Sequence, residues 1–209
     1  MEKYTAPQPM SAKRENKTGI VILAAGNSSR LGEPKQLLEF KNTTLLKNTI
    51  NEALLVPNSI VIVVTGAVHE TIEKEIDPSK IKIVFNPDWE LGMSSSIIAG
   101  LKEFMVSAPE SNTCIFSVCD QPYLTHTVFE ELVTAHSKTK KGIIASSYAG
   151  TFGIPVLFER KYFNALLELD EQSGAKKIIK NYIEDSSLVP FEKGVIDIDT
   201  QEDYQNLIS

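Results

Sequence analysis

Residues 19 to 35 read Gly19-Ile20-Val21-Ile22-Leu23-Ala24-Ala25-Gly26-Asn27-Ser28-Ser29-Arg30-Leu31-Gly32-Glu33-Pro34-Lys35. The opening apolar run is short, rich in β-branched residues and followed by small ones, the pattern of a strand buried on both faces. Runs of the same kind recur at 59–64, ended by Gly66, at 81–85 and at 114–118. Between them lie segments of helical spacing: 44–55 with Leu45, Leu46, Ile50, Ala53 and Leu54, then 69–75, 95–105, and 125–137 with Thr125 as N-cap. Buried strands regularly interrupted by helices predict βαβ units. The fold class expected is α/β: a doubly wound, three-layer, mostly parallel sheet of Rossmann-like type.

The C-terminal third is less regular. Strands are expected near 143–146 and 154–158, helices near 161–167 and 173–182, and a late strand over 194–198 before a helix capped by Thr200. This portion reads as a small insertion-like addition to one domain spanning 18–209. Residues 1–17, low in hydrophobicity and holding Pro7 and Pro9, read as a flexible N-terminal arm.

Composition narrows the function. Hydrophobic content of 42% and charged content of 23% are ordinary for a globular chain. No apolar run approaches the ~18 residues of a transmembrane helix, and the N-terminus lacks the apolar core of a secretory signal, so a cytoplasmic protein without membrane partners is expected. The formal charge of −6 argues against nucleic-acid binding, which wants a basic surface. Cys114 and Cys119 are too few for a disulfide scaffold and have no second pair for zinc; two half-buried thiols in a reducing compartment are expected. An acidic body that binds a phosphorylated ligand must gather its cations at the site.

Ligands of doubly wound sheets sit outside the carboxyl ends of the strands, which directs attention to the loops after Leu23, Val64, Phe85, Val118 and Ile198. In the first, small residues at 24–29 let backbone N–H groups approach an anion, and Arg30 and Lys35 supply charge. The same residues also suit a plain glycine-rich turn carrying two solvated cations. The loop matches neither a Walker A sequence nor the Gly-x-Gly-x-x-Gly dinucleotide fingerprint. After the third strand comes Asn86-Pro87-Asp88-Trp89-Glu90-Leu91-Gly92-Met93-Ser94-Ser95-Ser96, either a capped helix start or a ligand loop with free N–H groups at a helix N-terminus. After the fourth, Asp120-Gln121-Pro122 puts a carboxylate at the edge of a central strand, where it caps a turn or holds a metal. Near the end, Asp197-Ile198-Asp199-Thr200-Gln201-Glu202-Asp203 would place Asp197 and Asp199 on one face of a strand, or simply start the last helix.

Leu-Ala-Ala-Gly-x-Ser-x-Arg-x-Gly-x-x-Lys at 23–35 resembles the signature loop of the MobA-like nucleotidyltransferase superfamily, and within it the molybdenum cofactor cytidylyltransferases. Asn-Pro-x-Trp-x-x-Gly-Met-x-x-Ser, Asp-Gln-Pro, Gly153-Ile154-Pro155-Val156-Leu157-Phe158, Gly174-Ala175-Lys176 after Ser173, and Asp-x-Asp-Thr-x-Glu-Asp are similar to further segments of that family. The chain departs from it with Gln201 in place of Pro and Ile154 where molybdopterin enzymes often carry His. The resemblance implies that Leu23, Ala24, Ala25, Gly26, Arg30 and Lys35 wrap a nucleotide, that Ser94, Ser95 and Ser96 contact base or ribose, and that Arg30, Lys35 and Asp120 are catalytic. It further implies Mg²⁺ on Asp120 and Asp199, with Asp197 the alternative second ligand. The donor it implies is CTP, or another nucleoside triphosphate, and the acceptor is a molybdopterin-type phosphate, with a molybdoenzyme or its chaperone as partner. A sugar or alditol phosphate acceptor, or a non-catalytic cofactor carrier, are the other readings. His69, His126 and His136 lie in none of these motifs.

Overall fold

The computed structural model describes residues 17–170 and 174–209. The expected flexible arm, apart from Lys17, and the Ser173 helix start lie outside the described residues. In chain order the elements are β1 (Thr18–Ala24), β2 (Glu39–Phe40), β3 (Thr43–Thr44), α1 (Leu45–Leu54), β4 (Ser59–Thr65), α2 (His69–Glu75), β5 (Lys82–Phe85) and α3 (Met93–Ser107). There follow β6 (Thr113–Val118), α4 (His126–Thr139), β7 (Ile143–Tyr148), β8 (Thr151–Glu159), α5 (Phe163–Leu167), α6 (Ala175–Asn181), β9 (Ser186–Pro190) and α7 (Gln201–Ile208).

The main sheet runs β5-β4-β1-β6-β8-β7-β9, and every pairing is parallel except the two made by β8. Strand β1 shows why helices cover both faces. Ile20, Ile22 and Ala24 pack with α1, α2 and α4 residues such as Leu46, Ile72 and Phe129, whereas Val21 and Leu23 pack with α3 and α5 residues such as Leu101, Phe104 and Phe163. With period-2 alternation and apolar residues on both faces, β1 can sit only in the middle of a three-layer structure. A third cluster, Leu31, Leu38, Phe40, Leu45 and Ile198 with Tyr204 and Leu207, fixes the first loop, the β2–β3 hairpin and α7 to one another. No described helix is long and apolar enough to cross a membrane.

Two expectations fail in the C-terminal third. It is not an insertion-like appendage: β7, β8 and β9 extend the main sheet from β6. Nor do residues 194–198 form a strand; a 3-10 turn covers Glu192–Val195 and irregular backbone follows. The seat beside β6 is taken by antiparallel β8, so this segment touches the sheet end through Ile198 N–H donating to the Asp120 carbonyl at 3.0 Å. The edge strand of the region is β9, at 186–190. Thr125 begins α4 as expected, but its side chain makes no capping bond. Cys114 and Cys119 are fully rather than half buried, at 0% and 2% exposed, and burial pushes both thiols up, Cys119 to about 12 with help from the Asp120 charge.

Candidate active site

Three loops meet at the carboxyl ends of β1 and β6. The first, 24–35, is folded by its own polar groups. Ser28 adopts a left-handed φ of 54°; its carbonyl accepts from Leu31 and Gly32 N–H, and its hydroxyl accepts from Lys35 N–H at 3.0 Å. The carbonyls of Ala24 and Gly26 accept from Gln36 Nε2 at 3.0 and 2.7 Å, and that of Ala25 accepts from Ala67 N–H at 3.0 Å. Carbonyl oxygens that would repel a phosphate are thereby held by donors. Ala25 and Gly26 can present N–H groups without their oxygens competing. Gly66 makes the packing possible: a Cβ there would sit 2.5 Å from the Ala25 oxygen and 2.7 Å from Trp89 Cβ.

The charged centre is compact. Lys35 Nζ donates to Asp120 Oδ2 and, at 2.9 Å, to Asp199 Oδ1, while Arg30 Nη2 donates to Asp199 Oδ2 at 2.7 Å. Lys35 and Asp120 are mostly buried, Asp199 partly, and Arg30 is 72% exposed at its side chain. Burial alone would lower the Lys35 pKa, but the charges and hydrogen bonds of Asp120 and Asp199 outweigh it and hold the ammonium protonated. The Lys35 hydrogen bond draws the Asp199 carboxyl below its ordinary value, with Arg30 adding to the effect. Asp197 moves the other way: burial, then the charges of Asp120 and Asp199, raise it. Two residues apart, one carboxylate is neutralised and the other crowded.

Asp199 is placed by the start of α7. Thr200 and Asp203 form a capping box, and Asp203 Oδ2 also accepts from Asp199 N–H at 3.2 Å. Gln201, the departure from the family's Pro, donates to the Leu31 carbonyl and to Glu33 Oε1, both at 3.0 Å, tying α7 to the first loop. The substitution thus has a local use.

The serine run is engaged internally. Asn86 Nδ2 donates to Ser95 Oγ at 2.9 Å and Ser96 Oγ at 3.0 Å, Ser95 Oγ donates to the Gly92 carbonyl, and Ser94 is buried. Gly92, at φ 101°, turns the chain into α3. These hydroxyls brace the loop, leaving backbone N–H groups as its offer to a ligand.

Beside Asp120 lies a cavity of about 380 Å³, bounded by Asp120, Asp197, Tyr148, Phe152, Ile154 and Lys176 among others. Its walls are mainly apolar and aromatic, with carboxylates at one part of the lining and Lys176, held by Thr151 Oγ1 at 2.8 Å and lying over the Phe152 ring, at another. The structure therefore brings together Arg30, Lys35, Asp120, Asp197 and Asp199. The histidines are used elsewhere: His69 Nδ1 meets Thr65 Oγ1, and His126 meets Glu52. Sequence reasoning missed Gln36 and Gln121, whose signal, a polar residue directly after a site residue, is weak. Among the described residues no group of three or more His, Cys, Asp or Glu is arranged to hold a metal ion.

A family model for the MobA-like NTP transferase domain matches residues 20–186. The molybdenum cofactor cytidylyltransferase of Escherichia coli K12 is 27% identical over 186 residues, 88% of this chain and 92% of that one. Nicotine blue oxidoreductase of Paenarthrobacter nicotinovorans is 31% identical over 141 residues, 67% of this chain and 66% of that one. The crystal structure of a homologue of Mycobacterium tuberculosis Rv0371c, from Mycobacterium sp. strain JC1, matches with a TM-score of 0.80 and 30% identity, over 91% of this chain and 94% of that one.

Proposed function

Because this chain belongs to the family of MobA-like NTP transferase domains, we propose that it transfers CMP from CTP to a molybdopterin-type phosphate. The observation that carries the reading is the sharing of one ammonium, Lys35, by Asp120 and Asp199 beside a loop whose carbonyls are tied back. That arrangement offers backbone donors and two positive charges to a triphosphate, and carboxylates to a cation.

The acceptor phosphate oxygen attacks the α-phosphorus, the bond from that phosphorus to the bridging oxygen breaks, and pyrophosphate leaves. A phosphomonoester, with a second pKa near ~6, is already a dianion at neutral pH, so no strong base is needed. This agrees with a site built without histidine. Lys35 and Arg30 move from carboxylates to the β- and γ-phosphates, neutralising the charge that grows on pyrophosphate. The loop fixes the donor, and the Asp120 cavity aligns the acceptor for in-line attack.

The donor set fits a divalent cation. Asp120 and Asp199 supply hard oxygens that already converge on one positive charge. Mg²⁺ held by Asp120 and Asp199 would supply further charge neutralisation at the transferred group.

The apolar and aromatic cavity walls favour a ring-bearing acceptor over a sugar or alditol phosphate. The charged centre favours phosphoryl chemistry over oxidation–reduction, and over a carrier without turnover. The test is pyrophosphate release from CTP, GTP, ATP and UTP with Mg²⁺ and molybdopterin. Release with CTP, lost in Asp120→Asn, is expected; tight CTP binding without release would sink the cytidylyl-transfer reading and favour the carrier.

A further inference from the structure

Two glutamines stand directly after charged residues of the site: Gln36 follows Lys35, and Gln121 follows Asp120. They are 1% and 4% exposed. Each uses its amide nitrogen to bridge two backbone carbonyls. Gln36 Nε2 reaches Ala24 and Gly26 at 3.0 and 2.7 Å; Gln121 Nε2 reaches Ile154 at 3.3 Å and Gly194 at 2.8 Å. Carbonyls accept only, so the amide nitrogen must face them and the orientation of both side chains follows from chemistry. Both amide oxygens are buried without a hydrogen-bond partner among the described residues. That is an unfavourable burial, carried twice at corresponding points of the site.

The bridges join different things. Gln36 pins two points of the first loop, turning its carbonyls away from the cleft. Gln121 links the end of β6 to β8 through Ile154, and to the turn before Asp197 and Asp199 through Gly194; Ile154 and Gly194 both line the cavity beside Asp120. A leucine of similar volume would fill either space but fix neither set of carbonyls.

We propose that Gln36 and Gln121 are paired positioning residues, Gln36 holding the triphosphate loop and Gln121 holding the walls of the acceptor cavity. The substrates in this statement rest on the nucleotidyl-transfer reading; the clamps themselves rest on the hydrogen bonds.

The test compares Gln36→Met and Gln121→Met, which keep volume and remove the donor. Hydrogen exchange of the protein alone comes first. Gln36→Met should speed exchange over 24–30, and Gln121→Met over 152–156 and 193–199, with the central strands unchanged. Binding of CTP with Mg²⁺ and steady-state kinetics with molybdopterin follow. Gln36→Met is expected to weaken CTP binding about tenfold and change the acceptor KM by less than about twofold, and Gln121→Met to do the reverse. Should a methionine variant not fold, Gln→Leu at the same position, which also removes the donor without adding charge, makes the same comparison. Unchanged exchange, exchange spread over the whole sheet, or equal effects on both substrates in both variants would overturn the proposal. If the wild-type protein binds none of the four nucleoside triphosphates, the substrate reading fails and the exchange pattern still decides whether the clamps exist.

Discussion

The two sides of the Lys35–Asp120 pair are assembled differently. On one side a continuous loop, 24–35, is held mostly from within and beside itself: Ser28 closes it and Gln36 holds two of its carbonyls, with Ala67 and Gln201 each taking one more. On the other, the cavity is built from the end of β6, both arms of the β7–β8 hairpin, the start of α6 and the turn at 192–195. A loop that folds locally can be fixed by few contacts, whereas a wall made of distant segments depends on the sheet as a whole. One side suits a donor met in the same form each time; the other can change acceptor by changing a few side chains.

The sharpest way to break this contrast is at the pair itself. Asp120→Asn should lower pyrophosphate release by about 10²- to 10³-fold while circular dichroism stays native, because the Asp120 carbonyl, which anchors Ile198, is untouched. Gly66→Ala is expected next in size. Its methyl would press on the Ala25 oxygen and Trp89, costing about 1–3 kcal/mol in denaturant unfolding and weakening donor binding more than acceptor binding. Thr200→Ala removes the capping box that sets Asp199 and should cost about 1 kcal/mol, with α7 fraying first in hydrogen exchange.

The smallest effect concerns the two neighbouring carboxylates and has opposite signs. Asp199, depressed in the fold, contributes stability above the ordinary carboxylate range and loses it as pH falls through its lowered value. Asp197, raised in the fold, stabilises relatively at low pH and becomes a penalty as pH rises from the ordinary carboxylate range through its raised value. Thermal melts at pH 7 should therefore show Asp197→Asn slightly above wild type and Asp199→Asn below it. The Asp197→Asn gain should vanish near pH 3, where that carboxyl is protonated in both folded and unfolded chains. Equal shifts of one sign would dissolve the distinction between the neutralised and the crowded acid.

What could be read in advance follows the same division. Strands β1, β4 and β6 announce themselves because they are apolar on both faces, and the helices between them because their apolar residues keep helical spacing. Arg30, Lys35 and Asp120 stand in short motifs that follow strands, and Asp199 in one that opens α7. The segment 194–198 misleads because Val195, Ile196 and Ile198 look like a strand. Only the pairing of β8 with β6, a choice made far away in sequence, denies it a partner. That Asn86 braces the hydroxyls of Ser95 and Ser96 is likewise visible only in the fold. Gln36 and Gln121 were illegible for the same reason: their meaning lies in which carbonyls the fold brings to them.

The bond from Lys35 to Asp199 spans 164 positions of sequence, and Asp199 comes after every strand of the main sheet. This imposes an order on biosynthesis. As the polypeptide leaves the ribosome, loop 24–35 and Asp120 emerge first, while Lys35 and Arg30 still lack their Asp199 partner. The centre closes only once Ile198 has docked onto the Asp120 carbonyl and α7 has capped behind it. A chain arrested before Asp199 would carry every strand of the main sheet and leave Lys35 and Arg30 without this carboxylate.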